Sequence, residues 1–200
     1  MMRYDLNLIA SWITPGSRVL DLGCGRGELL EYLHESKGVR GFGVERDESR
    51  AAEGIGRGVS ILQGDLSMEV RDYPDQAFDF VVLSQTLQQV ADPVALIREM
   101  LRVGKNAVVS FPNFAHFRNR CQLFFHGQAP VTPELPYDWY DTPNIRVIAF
   151  KDFIRFCRRN GVAVRQAVAV KTDPASGEGL VLRWLPNLRA TYGIFLLGRD

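Results

Sequence analysis

The chain has 200 residues, 24 basic against 23 acidic side chains, and 46% hydrophobic residues. At roughly 100–200 residues per domain this length fits one domain, 1–200, able to build a full core without metal or disulfide staples. The near-neutral charge excludes the basic excess of a nucleic-acid coat and the acidic excess of a solvating tail.

No apolar run approaches the roughly 20 residues that span a bilayer, and the first 16 residues lack the pattern of a secretory signal. Cys24, Cys121 and Cys157 are odd in number and show no paired spacing. A disulfide framework or zinc site is therefore not expected, and a reducing cytoplasm is.

Tyr4 to Ile13 places Leu6, Ile9 and Ile13 at helical spacing, and Thr14-Pro15-Gly16 stops the helix. Arg18 to Leu22 reads as a buried strand, Gly23 to Gly27 as a glycine-rich turn, and Glu28 to His34 as a helix. Gly41 to Glu45 is a second strand, with Asp47 as the cap of a third helix. Val59 to Leu62 is a third strand, ending at Gly64-Asp65. Phe78 to Leu83 is a fourth, nearly all apolar. Asp92-Pro93 opens a helix with apolar Leu96, Ile97, Met100 and Leu101, and Ala107 to Phe111 is a fifth strand. This alternation predicts a doubly wound, mostly parallel Rossmann-like sheet with helices on both faces.

After Phe111 the rhythm breaks. Residues 112–149 carry five prolines and no clean periodicity, which marks a cap or lid rather than a simple loop. Phe150 to Asn160 resumes helical spacing. Val162 to Val170 and Tyr192 to Leu197 read as two last strands, an antiparallel pair at one edge. Asp173-Pro174 and Ser176-Gly177 supply turns between them.

The strongest chemical signal is Val19-Leu-Asp-Leu-Gly-Cys-Gly-Arg-Gly27. Glycines at a strand-to-helix turn allow positive φ and close ligand approach. The helix N-terminus behind them offers N–H groups to an anionic group. Glu28 stands where the dinucleotide fingerprint wants a small residue, and no Gly-Lys-Ser/Thr follows, so neither pyrophosphate motif is met. Glu45, 18 residues after Gly27, ends the second strand, where a carboxylate can accept both ribose hydroxyls, one per oxygen. Asp65 ends the third strand, where an adenine amine needs an acceptor, and Asp21 can face a cationic amine. An adenosine joined to an ammonium, without pyrophosphate, describes S-adenosylmethionine (SAM). The alternative is a tight turn with solvent-facing acids.

The run VLDLGCGRG, then GVERD, QGDL and FDFVVLSQTLQQV, resembles the class I SAM-dependent methyltransferases over residues 15–111. That resemblance implies a seven-stranded sheet with an antiparallel edge strand. It also implies SAM, or its product S-adenosylhomocysteine (SAH), held by Asp21, Gly23, Cys24, Gly25, Gly27, Glu45, Arg46, Asp65, Leu66 and Ser84. The segments RYDLNLIASWITPGSRVLDLGCGRGELLEYL, SFPNFAHFRNRCQLFFHGQAPVT, PYDWYDTPNIR and FKDFIRFC are similar to the MetW family of methionine biosynthesis proteins. This second resemblance implies association with homoserine O-acyltransferase.

No residue declares itself as a general base for methyl transfer. Ser84-Gln85-Thr86-Leu87 can line an acceptor pocket or cap a strand end; Gln88 and Gln89 cannot act as bases. His34 suits a helix C-terminus, while His116 is the histidine best placed for an acceptor site or partner. Cys24 fits the glycine turn by its size. The aromatics from Phe111 to Phe125 either pack a helical cap or form a docking patch. Asp138, Tyr140, Asp141, Asn144 and Arg146 form a polar cluster after it. Two functions stay open: a SAM-binding partner of the acyltransferase, with Phe117, Arg118 and Tyr140 among its contacts, or a methyltransferase for a small molecule.

Overall fold

The computed structural model describes residues 2–173 and 176–199. The first half alternates as expected: α1 (Tyr4–Trp12), β1 (Arg18–Leu22), α2 (Glu28–Lys37), β2 (Arg40–Glu45), α3 (Glu48–Gly56), β3 (Ile61–Gln63), α4 (Leu66–Glu69), β4 (Phe78–Ser84), α5 (Pro93–Val103) and β5 (Gly104–Pro112). The second half holds α6 (Phe117–Cys121), α7 (Phe150–Arg159), β6 (Ala163–Thr172), β7 (Gly179–Leu182), α8 (Pro186–Arg189) and β8 (Tyr192–Gly198).

One sheet runs in the order β3-β2-β1-β4-β5-β8-β6-β7. Strands β1 to β5 are mutually parallel, and β8 is antiparallel to both its neighbours, β5 and β6. The sheet has one strand more than the seven implied by the resemblance. Gly179–Leu182 pairs antiparallel with β6 and forms the edge, so β8 lies inside rather than at the border. The four residues GLVL are too short to register as a strand by pattern. Leu180 and Val181 are exposed there. Of the expected turns, Ser176-Gly177 is confirmed by Gly177 at φ +71°, whereas Pro174 of the Asp173-Pro174 turn lies outside the described residues.

Side chains alternate between two cores, as a pleated strand requires. On one face Val19, Phe80, Val82, Val108 and Ile194 pack against Leu6, Ile9 and Ala10 of α1 and Leu29, Leu30 and Leu33 of α2. On the other, Leu20, Leu22, Val81, Leu83, Val109 and Phe111 pack against α5 and α7. Phe195 anchors the second core, with ring centroids 5.6, 4.9 and 4.7 Å from Phe111, Phe150 and Phe153. Asp92 caps α5 by accepting from Ala95 N at 3.0 Å, and Asp47 caps α3 through Arg50 N at 2.9 Å. The last carbonyls of α1, otherwise orphaned, accept from the Lys37 ammonium at Ala10 (2.6 Å) and Ile13 (2.7 Å). This tie joins the end of α1 to the end of α2, while at the other end of α1 Arg3 and Asp5 meet Ser84 and Gln85 at the C-terminal edge of β4.

The segment after β5 is fastened by Asn113. Its Nδ2 donates to the carbonyls of Asn187 (3.1 Å) and Ala190 (2.9 Å), and its Oδ1 accepts from Phe150 N (3.1 Å). Further along, Ile145 N and Arg146 N both donate to the Gln88 carbonyl. Arg146 also donates to the carbonyl of Ala91. The expected polar cluster thus divides: Arg146 ties its segment to the turn after β4, while the Tyr140 hydroxyl pairs with exposed Asp138 at 3.4 Å.

Candidate functional site

The C-terminal ends of β1 to β4 bring the sequence-derived residues to one edge, the ligand edge of an open α/β sheet. Asp21, next to last in β1, is buried, and its Oδ1 has no hydrogen-bond partner among the described residues. Burial raises its carboxyl from 3.8 to about 7; the nearby Arg3 guanidinium pulls the other way, and Glu45 adds to the rise. A buried carboxylate oxygen without a donor is costly. A cationic amine brought to this oxygen would satisfy it.

Glu45 ends β2 and is buried. Its Oε2 accepts from Gly25 N at 2.8 Å, and its Oε1 from Asp47 N at 2.9 Å. Each oxygen therefore holds one backbone N–H and keeps one lone-pair direction for a ribose hydroxyl. Gly64 N donates to the Glu45 carbonyl at 3.0 Å, which sets Asp65 beside it. Asp65 caps α4 through Ser67 N at 2.8 Å and is exposed. Leu66 is half-buried against the core. Arg46 is exposed at the turn after β2.

Four N–H groups of the glycine loop are engaged within the protein. Gly23 N (2.7 Å) and Cys24 N (3.1 Å) both donate to the Val44 carbonyl, Gly25 N to Glu45, and Gly27 N to the Cys24 carbonyl at 3.0 Å. Three of these amides hold the loop against the end of β2. Gly25 has φ +58°, and a Cβ built on it meets nothing within 4 Å. The opening in front of it is free for a ligand. Cys24 turns its Sγ onto Gly43, where a Cβ would lie 2.4 Å from the sulfur. Burial pushes the thiol upward, so it is no nucleophile.

At the end of β4, Ser84 Oγ shares a hydrogen bond with Ser110 Oγ at 3.1 Å and lies 3.5 Å from Arg3 Nη2. The next residue, Gln85, is left-handed at φ +51°, a conformation uncommon for residues with a side chain. It is held there by Gln85 N on the Ser110 carbonyl at 2.9 Å and by its Nε2 on Asp5 Oδ2 at 2.7 Å. Sequence reasoning missed Asp5. The available signal was its position four residues before Ile9, on the apolar face of α1, where an acid needs a partner.

His34 is exposed, with Nδ1 3.3 Å from the Val39 carbonyl. His116 is buried and caps α6, its Nδ1 accepting from Arg118 N at 3.4 Å. The aromatics do not all pack beneath the cap. Phe111 is buried, but Phe124 is 82% exposed, Trp139 77% and Tyr140 71%. Phe117 and Arg118 are exposed as well.

The sheet order, the reversed β8 and the acids at the ends of β1, β2 and β3 define the fold of the SAM-dependent methyltransferases. A SAM-dependent methyltransferase of Thermotoga maritima, described as a possible histamine N-methyltransferase, superposes with a TM-score of 0.71 at 19% identity, covering 98% of this chain and 87% of that one. Magnesium protoporphyrin IX methyltransferase of Synechocystis with bound SAH gives 0.68 at 15% identity, covering 98% and 82%. The family described as methionine biosynthesis protein MetW matches residues 3–197. The chain belongs to the MetW family. A bifunctional methionine biosynthesis protein MetXA/MetW of Rhodopirellula baltica is 33% identical over 100% of this chain. The chain spans only 33% of that relative's length.

Proposed function

We propose that this chain binds SAM at the C-terminal edge of β1 to β3 and acts in methionine synthesis by supporting or regulating a homoserine O-acyltransferase. The observation that carries the cofactor reading is the buried Asp21 Oδ1 without a partner, beside a glycine loop with open space before Gly25. Asp21 faces the amine of the methionine moiety, Glu45 takes the ribose and Asp65 the adenine amine. Gly23, Cys24 and Gly27 shape the wall, Arg46 and Leu66 flank the adenosine, and Ser84 closes the side toward β4. When bound, SAM supplies an activated methyl group or reports the level of a pathway product. These residues fit SAM better than a dinucleotide pyrophosphate, since Glu28 stands where that fingerprint wants a small residue.

The partner reading is supported by the fused relative, whose printed name joins MetXA to MetW in one chain. The surface that suits such a partner is the exposed aromatic side of the cap, with Phe117, Arg118 and Tyr140 among its contacts. Aromatic and arginine side chains dominate interface hot spots. The three thiols are unpaired, which suits a reducing cytoplasm. The second reading, a methyltransferase for an unidentified small molecule, is favoured by the same acids and by the left-handed Gln85 beside Ser84.

Co-purification with the homologous acyltransferase, followed by acylation assays of each component alone and together, tests the first reading; a methyl-release assay on the same samples tests the second. Arg118→Ala combined with Tyr140→Ala leaves folding and SAM affinity intact and weakens the complex. Undiminished association of this double variant would remove those residues from the interface.

A further inference from the structure

Residues 117–126 form one continuous helical run, α6 followed by a π-helical turn, Gln122–His126. Such turns are rare and occur often at functional sites. This one carries Leu123, Phe124 and Phe125 in succession, exposed by 54%, 82% and 72%. The two rings meet edge to face with centroids 5.0 Å apart, and none of the three side chains belongs to either core. An aromatic side chain can bury about 150–250 Å², so at these exposures the phenylalanine pair alone presents roughly 230–390 Å². That is about a quarter to a half of the ~800 Å² each partner gives to a standard interface.

The turn is braced from several sides. Gln122 grips residue 131 through both halves of its amide: Nε2 donates to the Val131 carbonyl at 3.2 Å, and Oε1 accepts from Val131 N at 3.0 Å. Buried Asn119 donates to the Phe114 carbonyl at 3.0 Å, and Arg120 Nε to the Ala115 carbonyl at 2.7 Å. Gly127, left-handed at φ +64°, closes the turn by donating to the Leu123 carbonyl at 3.1 Å. These bonds hold the backbone that presents the rings. A surface already ordered in this way loses little entropy when a partner covers it.

We propose that Leu123, Phe124 and Phe125 are the apolar anchor by which this chain docks into a concave, apolar pocket of the acyltransferase. The inference rests on the partner reading and gives that interface an energetic centre outside the set Phe117, Arg118 and Tyr140. Three points select this occupant. About two thirds of the Rhodopirellula relative lies beyond the part that matches this chain. A covalent link of that kind supplies effective concentration, whereas between separate chains the contact itself must supply the affinity. A second copy fits poorly, because a two-fold contact through Phe124 draws the exposed Arg118 and Arg120 of both copies toward one axis. A membrane surface fits poorly as well, because these apolar residues occupy one five-residue turn and not the broad apolar face of an interfacial helix.

The test measures binding of the full chain to the homologous acyltransferase by calorimetry. The variants are Phe124→Ala, Phe125→Ala and, as a control, Leu180→Ser at an exposed apolar position of β7. Each phenylalanine variant should keep the wild-type melting temperature and SAH affinity and weaken the complex at least about 30-fold, the equivalent of the ~2 kcal/mol that marks a hot spot. Leu180→Ser should bind as the wild type does. Wild-type affinity in both phenylalanine variants overturns the anchor and leaves the partner reading standing, whereas no complex with the wild-type chain overturns both. Equal weakening by Leu180→Ser overturns the anchor too, since any exposed apolar residue would then serve. Sedimentation of the chain alone and flotation with phosphatidylcholine–phosphatidylglycerol vesicles read the other occupants: a dimer, or vesicle binding, that either phenylalanine substitution abolishes also overturns the proposal.

Discussion

Replacing Asp21 by asparagine isolates the cost of its burial. The wild-type carboxyl rises from 3.8 to about 7. Between those values the folded state binds a proton that the unfolded state releases. Stability therefore falls as pH rises through this window and levels off above about 7. Roughly three units correspond to about 4 kcal/mol in total, of which about 3 kcal/mol falls between pH 5 and pH 8. The amide of the Asp21→Asn variant has no charge to desolvate, so its stability lacks this component. Urea unfolding of both proteins at several pH values reads the difference directly, and other titrating groups cancel. The variant should gain on the wild type by about 3 kcal/mol from pH 5 to pH 8 and lose SAM binding at every pH. In the wild type, SAM affinity should climb with pH toward 7, because a cationic amine stabilises the carboxylate and expels its proton. A stability difference that stays constant with pH would refute the reasoning.

Three other substitutions probe the glycine loop, the ribose acid and the cap. Gly25→Val should abolish SAM binding, since a β-branched residue at positive φ is strained and its side chain fills the open space before the loop; calorimetry with unchanged affinity would place the ligand elsewhere. Glu45→Ala should weaken SAM by about 10–100-fold, or roughly 1.4–2.8 kcal/mol, and also lower the melting temperature, because it releases Gly25 N and Asp47 N. Normal stability with normal affinity would deny it both roles. Asn113→Ala removes two donors and one acceptor in the interior. It should cost about 2–4 kcal/mol and expose the 114–148 segment to proteolysis before the sheet unfolds. Limited digestion showing simultaneous loss of both would count against a separable cap.

Strands β1, β4 and β5 were legible because each is a largely buried run punctuated by turn residues, whereas β2 and β3, partly exposed, were marked by the turns that bound them. Asp47, Asp92 and Pro93 were legible because capping is local chemistry. The acids at 21, 45 and 65 could be placed on one edge from spacing alone. The state of those acids could not. That Glu45 already holds Gly25 N depends on how closely two strands approach, and the engagement of the loop amides by Val44 is equally non-local. Asn113 gave no signal, since its three partners lie 37 to 77 positions away in sequence. The cap resisted reading for a related reason: Phe124, Trp139 and Tyr140 are apolar yet exposed, and composition cannot separate a packed aromatic from a presented one.

Strand β8 has a consequence for the order in which this protein is made. It is the last of the eight strands to leave the ribosome, yet it sits between β5 and β6. Until residues 192–198 emerge, β5 has no partner on its outer side. The β6-β7 hairpin then has nothing to join it to the rest of the sheet. The nascent chain thus passes through a stage with two separate sheet fragments and two raw hydrogen-bonding edges facing a gap one strand wide. Such edges invite pairing with other chains. Stalled or truncated products lacking these seven residues should therefore be the aggregation-prone species, whatever the stability of the finished molecule.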